Sequence, residues 1–223
     1  MNSVSVVIPV FNEEKTVANV IKAVSSSGLA LEIICVNDGS TDKSLEALKS
    51  FGDKIELIDL GKNYSKGFAL VAGVKAAKGE IIVFLDSDHP NLSKDHVKDL
   101  IEPVLIHGSK AAIGFALSDS TTRFYRLLLG VLINFNVYTG GQRTYFKKTI
   151  LPYLDQISKT GYGVDLFLNS LVSTKETKFV SLNGLKTITK GKKWKGIVAF
   201  KKWIVFNIEL PKQVLKNLFK KVK

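Results

Sequence analysis

The sequence predicts an α/β fold, a mostly parallel, Rossmann-like sheet flanked by helices. Three observations predict it. Short apolar runs alternate with segments of helical periodicity through residues 1–90. Each run ends in a polar or glycine-rich cluster, at the edge where open parallel sheets place their ligands. Hydrophobic residues make up 45% of the 223, which is enough for the core of one domain and excludes a disordered chain.

The first run, Val4 to Val10, ends in Phe11-Asn12-Glu13-Glu14. Val17, Val20, Ile21 and Val24 then recur at helical spacing. The second run, Glu32 to Val36, ends in Asn37-Asp38-Gly39-Ser40-Thr41-Asp42, and Leu45, Leu48 and Phe51 form the next apolar stripe. The third, Ile55 to Leu60, ends in Gly61-Lys62-Asn63-Tyr64-Ser65-Lys66-Gly67. Leu70, Val71 and Val74 mark the helix after it, with Gly79 expected as its C-cap.

The fourth run is Ile81-Ile82-Val83-Phe84-Leu85, followed at once by Asp86-Ser87-Asp88. Five apolar residues read as a strand buried on both faces. Two carboxylates one residue apart repel each other, and a hard cation such as Mg²⁺ or Mn²⁺ offsets that repulsion. Mg²⁺ commonly completes its shell with substrate phosphates, so a metal–diphosphate site is expected. An Asp-rich turn that merely ends a strand is the plainer alternative. The convergence of Asn12, Glu13, Asp38, Asn63, Lys66, Asp86 and Asp88 at one sheet edge favours the site.

Four segments in this order, Ser5 to Glu14, Val36 to Asp42, Asn63 to Gly67 and Leu85 to Asp88, resemble the successive signatures of family 2 glycosyltransferases. Thr139-Gly140-Gly141-Gln142-Arg143 and Gly161-Tyr162-Gly163-Val164-Asp165 extend the likeness. Asp86-Ser87-Asp88-His89-Pro90 is similar to the polyprenyl-phosphate (dolichyl-phosphate mannose synthase-like) branch, which usually carries further residues before its His. The resemblance implies a GT-A fold, a nucleotide-sugar donor and transfer with inversion. It implies that Pro9, Phe11, Glu13 and Asp38 contact base and ribose, with Asn63 and Lys66 near the nucleotide. Asp86 then lies near the ribose and the metal, Asp88 ligates the metal, and His89 meets metal or phosphate. An acidic residue in the second half of the family points to Asp165 as general base, against a plain helix N-cap. Gln142 is expected at the nucleotide sugar, and Arg143 suits a phosphate or an acceptor anion. Arg123 and Arg126 read as a solvated face.

Charge divides the chain. Residues 186–223 hold 12 of the 32 Lys and Arg against one of the 20 Asp and Glu, a net +11 within a total of +12. Val214, Leu215, Leu218, Phe219 and Val222 share one helical face there, and lysines occupy most of the other. That composition predicts an amphipathic helix at an anionic membrane surface. The expected organisation is a catalytic domain over 1–185, with nucleotide-sugar (1–90) and acceptor (91–185) halves, followed by the basic segment 186–223. The acceptor is a sugar or a lipid phosphate. The single Cys35 sits inside an apolar run and fits a reducing cytoplasm. No leader and no bilayer-spanning stretch is read, Leu127 to Val137 being too short. The expected location is therefore the inner face of the cell membrane. Two other classes compete. A nucleic-acid-binding protein fits pI 9.6 but not the acidic strand ends. A catalytically silent nucleotide-sugar binder fits poorly with an intact Asp38, Asp86 and Asp88.

Overall fold

One seven-stranded sheet organises the residues that the computed structural model describes, 2–116 and 141–187. Arg123, Arg126, Leu127 to Val137, Gly140 and the basic segment from 188 onward lie outside the described residues. The strands are β1 (Val4–Val10), β2 (Glu32–Asn37), β3 (Glu56–Asp59), β4 (Ile81–Phe84), β5 (Ala111–Phe115), β6 (Arg143–Phe146) and β7 (Thr177–Ser181). Their order is β3-β2-β1-β4-β6-β5-β7. Strands β3, β2, β1 and β4 are parallel neighbours, and β5 pairs in parallel with β7. Strand β6 runs antiparallel to both β4 and β5, so it alone among the described strands is reversed.

Helices cover both faces, as continuous apolar strands require. They are α1 (Val17–Ser27), α2 (Ser44–Lys49), α3 (Lys66–Ala76), α4 (Lys94–Leu105), α5 (Lys147–Ile150), α6 (Leu154–Lys159) and α7 (Val164–Asn169). Strand alternation splits the core in two. Val6 and Ile8 of β1 join Val20 and Val24 of α1 and Leu100 and Ile101 of α4 on one face. Val7, Ile34 and Phe84 join Leu70 and Val74 of α3, Ile157 of α6 and Leu168 of α7 on the other. Each fully buried aliphatic side chain contributes about 1.5–3 kcal/mol. No helix of the described residues is long and apolar enough to cross a membrane.

The first four strands and the three intervening helices lie where the apolar pattern predicts. The third run is the weakest strand, with β3 part-exposed at the sheet edge. Gly79 departs from expectation, because α3 ends at Ala76 with Ala77 as its cap. A Cβ at Gly79 would crowd Ser5 Oγ at 2.5 Å and the Ser3 carbonyl at 2.9 Å. Its N–H donates to Ser5 Oγ at 2.7 Å, so this glycine lets the α3–β4 turn lie against the start of β1.

Candidate active site

The strand ends are tied together before any site residue is placed. Asn12 adopts φ +56°, and its Oδ1 accepts from the Thr41 N–H at 2.8 Å. Glu13 donates its N–H to Ser44 Oγ at 2.7 Å, and its own carboxylate accepts from the Thr16 hydroxyl at 3.0 Å. The loops after β1 and β2 thus form one rim. Asp38 is buried in it and accepts from the backbone N–H groups of Tyr64 (2.7 Å) and Ser65 (3.1 Å). Burial holds its carboxyl above the usual range, against the lowering effect of those two donors. Ser65 takes φ +97°, and Lys66 opens α3 directly after it. Gly39 is obligatory in this rim, because its φ is +68° and a Cβ would overlap the backbone of Lys62 and Asn63.

The acidic pair stands at the end of β4. Ser87 between the two carboxylates turns inward and donates to the Pro9 carbonyl of β1 at 2.9 Å. Asp86 and Asp88 therefore share the outer side. Ligand atoms of Asp86, Asp88 and His89 all lie within 4.8 Å of one another. His89 is buried, and its Nδ1 lies 2.9 Å from the Lys186 carbonyl. A carbonyl only accepts, so the proton belongs on Nδ1 and the Nε2 lone pair faces the acidic pair. That Nε2 is 3.6 Å from Asp88 Oδ1 and touches the Gln142 amide. Two carboxylates and one imidazole, its far nitrogen fixed by a backbone carbonyl, fit a divalent ion. Asn91 holds the turn that supplies this carbonyl, accepting from the Lys186 N–H and donating to the Gly184 carbonyl, both at 2.8 Å.

A charged chain runs from this group into the second half of the protein. Lys66 Nζ lies 2.7 Å from Asp86 Oδ1 and 3.1 and 3.2 Å from the two oxygens of Asp165. Burial pushes the ammonium down, but the carboxylates of Asp165 and Asp86 outweigh it and hold Lys66 above its ordinary range. Burial likewise opposes the charge on Asp86, and Lys66 outweighs it, bringing that carboxyl down to about 2. Arg143, fully buried on β6, donates from Nη1 to Asp165 Oδ1 at 2.8 Å and from Nη2 to the Asp165 carbonyl at 3.1 Å. Its Nε donates to Asn169 Oδ1 at 3.1 Å. Asp165 sits in the first turn of α7, whose N-cap is Gly163.

Residues 5–156 match the family model described as glycosyl transferase family 2. The chain belongs to that family. It is 33% identical over 141 residues to 4,4'-diaponeurosporenoate glycosyltransferase of Staphylococcus aureus strain RF122, covering 61% of this chain and 36% of that protein. The protein of strain USA300 is 32% identical over the same length. The chain thus spans about a third of these relatives' length. Among solved structures it resembles glucosyl-3-phosphoglycerate synthase of Mycobacterium tuberculosis in complex with Mn²⁺, UDP and phosphoglyceric acid. There the TM-score is 0.72 at 22% identity, over 98% of this chain and 78% of that one. A form of the same protein with Mg²⁺ and UDP gives 0.68 at 24%, over 84% and 72%. The likeness shows a GT-A-type fold. These relatives identify the family, not the polyprenyl-phosphate branch within it.

The family fold brings together residues that the sequence offered separately. Asp86, Asp88, His89, Gln142, Lys66 and Asp165 form one group at the sheet edge. Pro9 is the penultimate residue of β1 beneath them, Phe11 and Glu13 lie half-buried on the rim, and Asn63 is exposed on its outer side. Arg143 differs from the expected anion-binding residue: it has no exposed surface, and its guanidinium donates to Asp165 and Asn169. Gly141 makes room for the Asp86 carboxylate, which a Cβ would overlap. Asn169, Asn91 and Lys186 are absent from the sequence reading. No spacing rule marks them, since they act on side chains distant along the chain.

Proposed function

We propose that this family 2 chain is a metal-dependent, inverting glycosyltransferase that takes its sugar from a nucleotide sugar. Mg²⁺ or Mn²⁺ held by Asp86, Asp88 and His89 would supply countercharge to the departing diphosphate. The observation that carries this reading is the juxtaposition of that group with Asp165 across the single ammonium of Lys66. UDP-glucose is the donor to test first, because glucosyl-3-phosphoglycerate synthase holds Mn²⁺ and UDP-glucose in a crystal of the shared fold.

The roles follow from position. Asp38, Glu13, Pro9 and Phe11 frame the base and ribose on the rim, with Asn63 on its outer side. Lys66 and Gln142 face the diphosphate and sugar. Where the acceptor is a hydroxyl, Asp165 accepts its proton as the bond from the anomeric carbon to the diphosphate breaks and the glycosidic bond forms on the opposite face; an ionised phosphate acceptor attacks in the same way with no proton to give up. Arg143 holds Asp165 in place. The acceptor we favour is a polyprenyl phosphate or a cell-envelope glycan precursor at an anionic membrane surface, reached through the basic segment 186–223. The charge and apolar stripe of that segment support this. Nucleic acid is disfavoured by the acidic site.

Thermal shift with Mn²⁺ and UDP tests the donor site. At a hundred times its dissociation constant a ligand adds about 2.7 kcal/mol, which raises the melting temperature by roughly 5–11 °C in a chain of this size. Asp88→Ala should abolish the Mn²⁺-dependent part of that shift and all sugar transfer, while the ligand-free melting temperature stays near that of the parent. Full turnover by Asp88→Ala would sink the metal assignment. Asp165→Asn separates the acceptors: a hydroxyl acceptor predicts a loss of roughly 10²–10⁴ in single-turnover rate, and a phosphate acceptor, already ionised, a far smaller one. Leu215, Leu218 and Phe219 replaced by Ser should weaken binding to anionic vesicles at unchanged charge. Unaltered vesicle binding would remove the membrane from this reading.

A further inference from the structure

Lys66 already occupies the position of a countercharge. It lies 2.7 Å from Asp86, which belongs to the metal group, and within 3.2 Å of both oxygens of Asp165. A divalent ion approaching Asp86 meets an ammonium that has neutralised one of its two anionic ligands. An acceptor approaching Asp165 finds both carboxylate oxygens engaged, one by Arg143 and Lys66 and the other by Lys66. The ammonium stands on a flexible four-carbon stem at the first residue of α3, whereas the Arg143 fork is fixed in the core. Of the two cations on Asp165, Lys66 is the one that can leave. A nucleoside diphosphate gives it a stronger anion to follow.

We propose that Lys66 is an internal counter-ion that couples metal binding to diphosphate binding and covers Asp165 until the diphosphate draws it away. The proposal rests on the metal–nucleotide reading above and adds a linkage to it. Without nucleotide, Lys66 competes with the ion for Asp86, so the ion binds weakly. When the diphosphate draws Lys66 away, Asp86 becomes available to the ion and an oxygen of Asp165 becomes available to the acceptor. Linkage is reciprocal, so the ion must tighten the diphosphate by the same factor by which the diphosphate tightens the ion.

Mn²⁺ titration followed by the paramagnetic resonance of the free ion tests this on the full chain, without turnover. In the parent protein, Mn²⁺ alone should bind weakly and UDP should tighten it. Lys66→Met should raise the affinity for Mn²⁺ alone about tenfold and shrink the factor by which UDP tightens it. Lys66→Gln repeats the neutralisation should the Met variant fail to fold. Lys66→Arg should behave as the parent, because it keeps the charge. Adding Asp88→Ala to Lys66→Met should erase the gain, which places the gained ion at this cluster. Mn²⁺ affinity unchanged in a folded neutral variant overturns the proposal. Failure of UDP to bind the parent at any Mn²⁺ concentration overturns the donor reading instead, and the nucleotide-free Lys66→Met arm still decides the competition for Asp86.

Discussion

Replacing Arg143 with Met distinguishes a ligand-binding arginine from a buried strut. Met keeps much of the stem volume on β6 and removes the guanidinium. At least three donor contacts disappear, among them one to Asp165 Oδ1, one to the Asp165 carbonyl and one to Asn169 Oδ1. Breaking a buried pair costs about 3–5 kcal/mol. The lower end applies here, because the Asp165 side chain is 21% exposed and keeps Lys66 as a partner. A loss of about 3 kcal/mol is a large share of the ~5–15 kcal/mol that holds a domain together. At a urea dependence of about 2–3 kcal/mol per molar it lowers the midpoint by roughly 1–1.5 M. Asp165→Asn should cost more, because it leaves a guanidinium with no exposed surface facing a neutral amide. Arg143→Lys should not restore stability, since one ammonium cannot serve three acceptors in a plane. Equilibrium urea unfolding of the two single variants and the double variant yields the coupling energy. If Arg143→Met unfolds at the parental midpoint but loses acceptor affinity, the arginine faces a ligand and the strut account is wrong.

Three further outcomes follow from other contacts in the fold. Asn91→Ala should weaken Mn²⁺ binding in the presence of UDP about tenfold, because the Lys186 carbonyl then no longer fixes His89; unchanged affinity would leave Asn91 a loop residue only. Burial pushes the Cys35 thiol up to about 12, so it should resist a thiol reagent at pH 8 until urea unfolds the chain, and fast labelling of the native protein would contradict its burial. The Glu32 carboxyl is raised by burial but lowered further by the Ser5 hydroxyl and the Lys78 N–H, for a net depression. Its contribution is therefore complete above the ordinary carboxylate range and fades as pH falls through the folded-state value. Glu32→Gln should flatten the acid limb of the stability curve, and an acid limb as steep as the parent's would refute the contribution.

The first half of the fold is legible because β1, β2 and β4 are buried on both faces and read as unbroken apolar runs. Asp86-Ser87-Asp88-His89 is legible for a related reason: its members are contiguous, so one turn gathers them. The second half is not. Strand β6 begins with Arg143, which no apolar pattern admits to a core, and its partners Asp165 and Asn169 lie 22 and 26 positions later. Lys66 and Asp165 are 99 positions apart, and their contact is a product of tertiary structure that periodicity does not encode. Family resemblance located Asp165 but not what grips it. Gly79 and Gly141 both serve internal packing, one against β1 and one against Asp86.

The reversal of β6 is what unites the two halves. In the β4–β6 register, Arg143 at the start of β6 lies opposite Phe84 at the end of β4. The residues just before β6 therefore meet the residues just after β4, which is why Gly141 abuts Asp86 and Gln142 touches His89. A parallel β6 would carry Gly141 and Gln142 to the opposite edge of the sheet, leaving the acidic pair without these neighbours. Strand β7 completes the arrangement from the far side. It runs parallel to β5, and the turn beyond its end brings the Lys186 carbonyl to His89. The candidate metal group is thus positioned from several parts of the sheet edge. Ser87 anchors the turn to β1, Gly141 leaves space for Asp86, and the turn after β7 orients His89. The metal group depends on both halves of the fold, so damage to the second half should appear first as weakened metal binding at the end of β4.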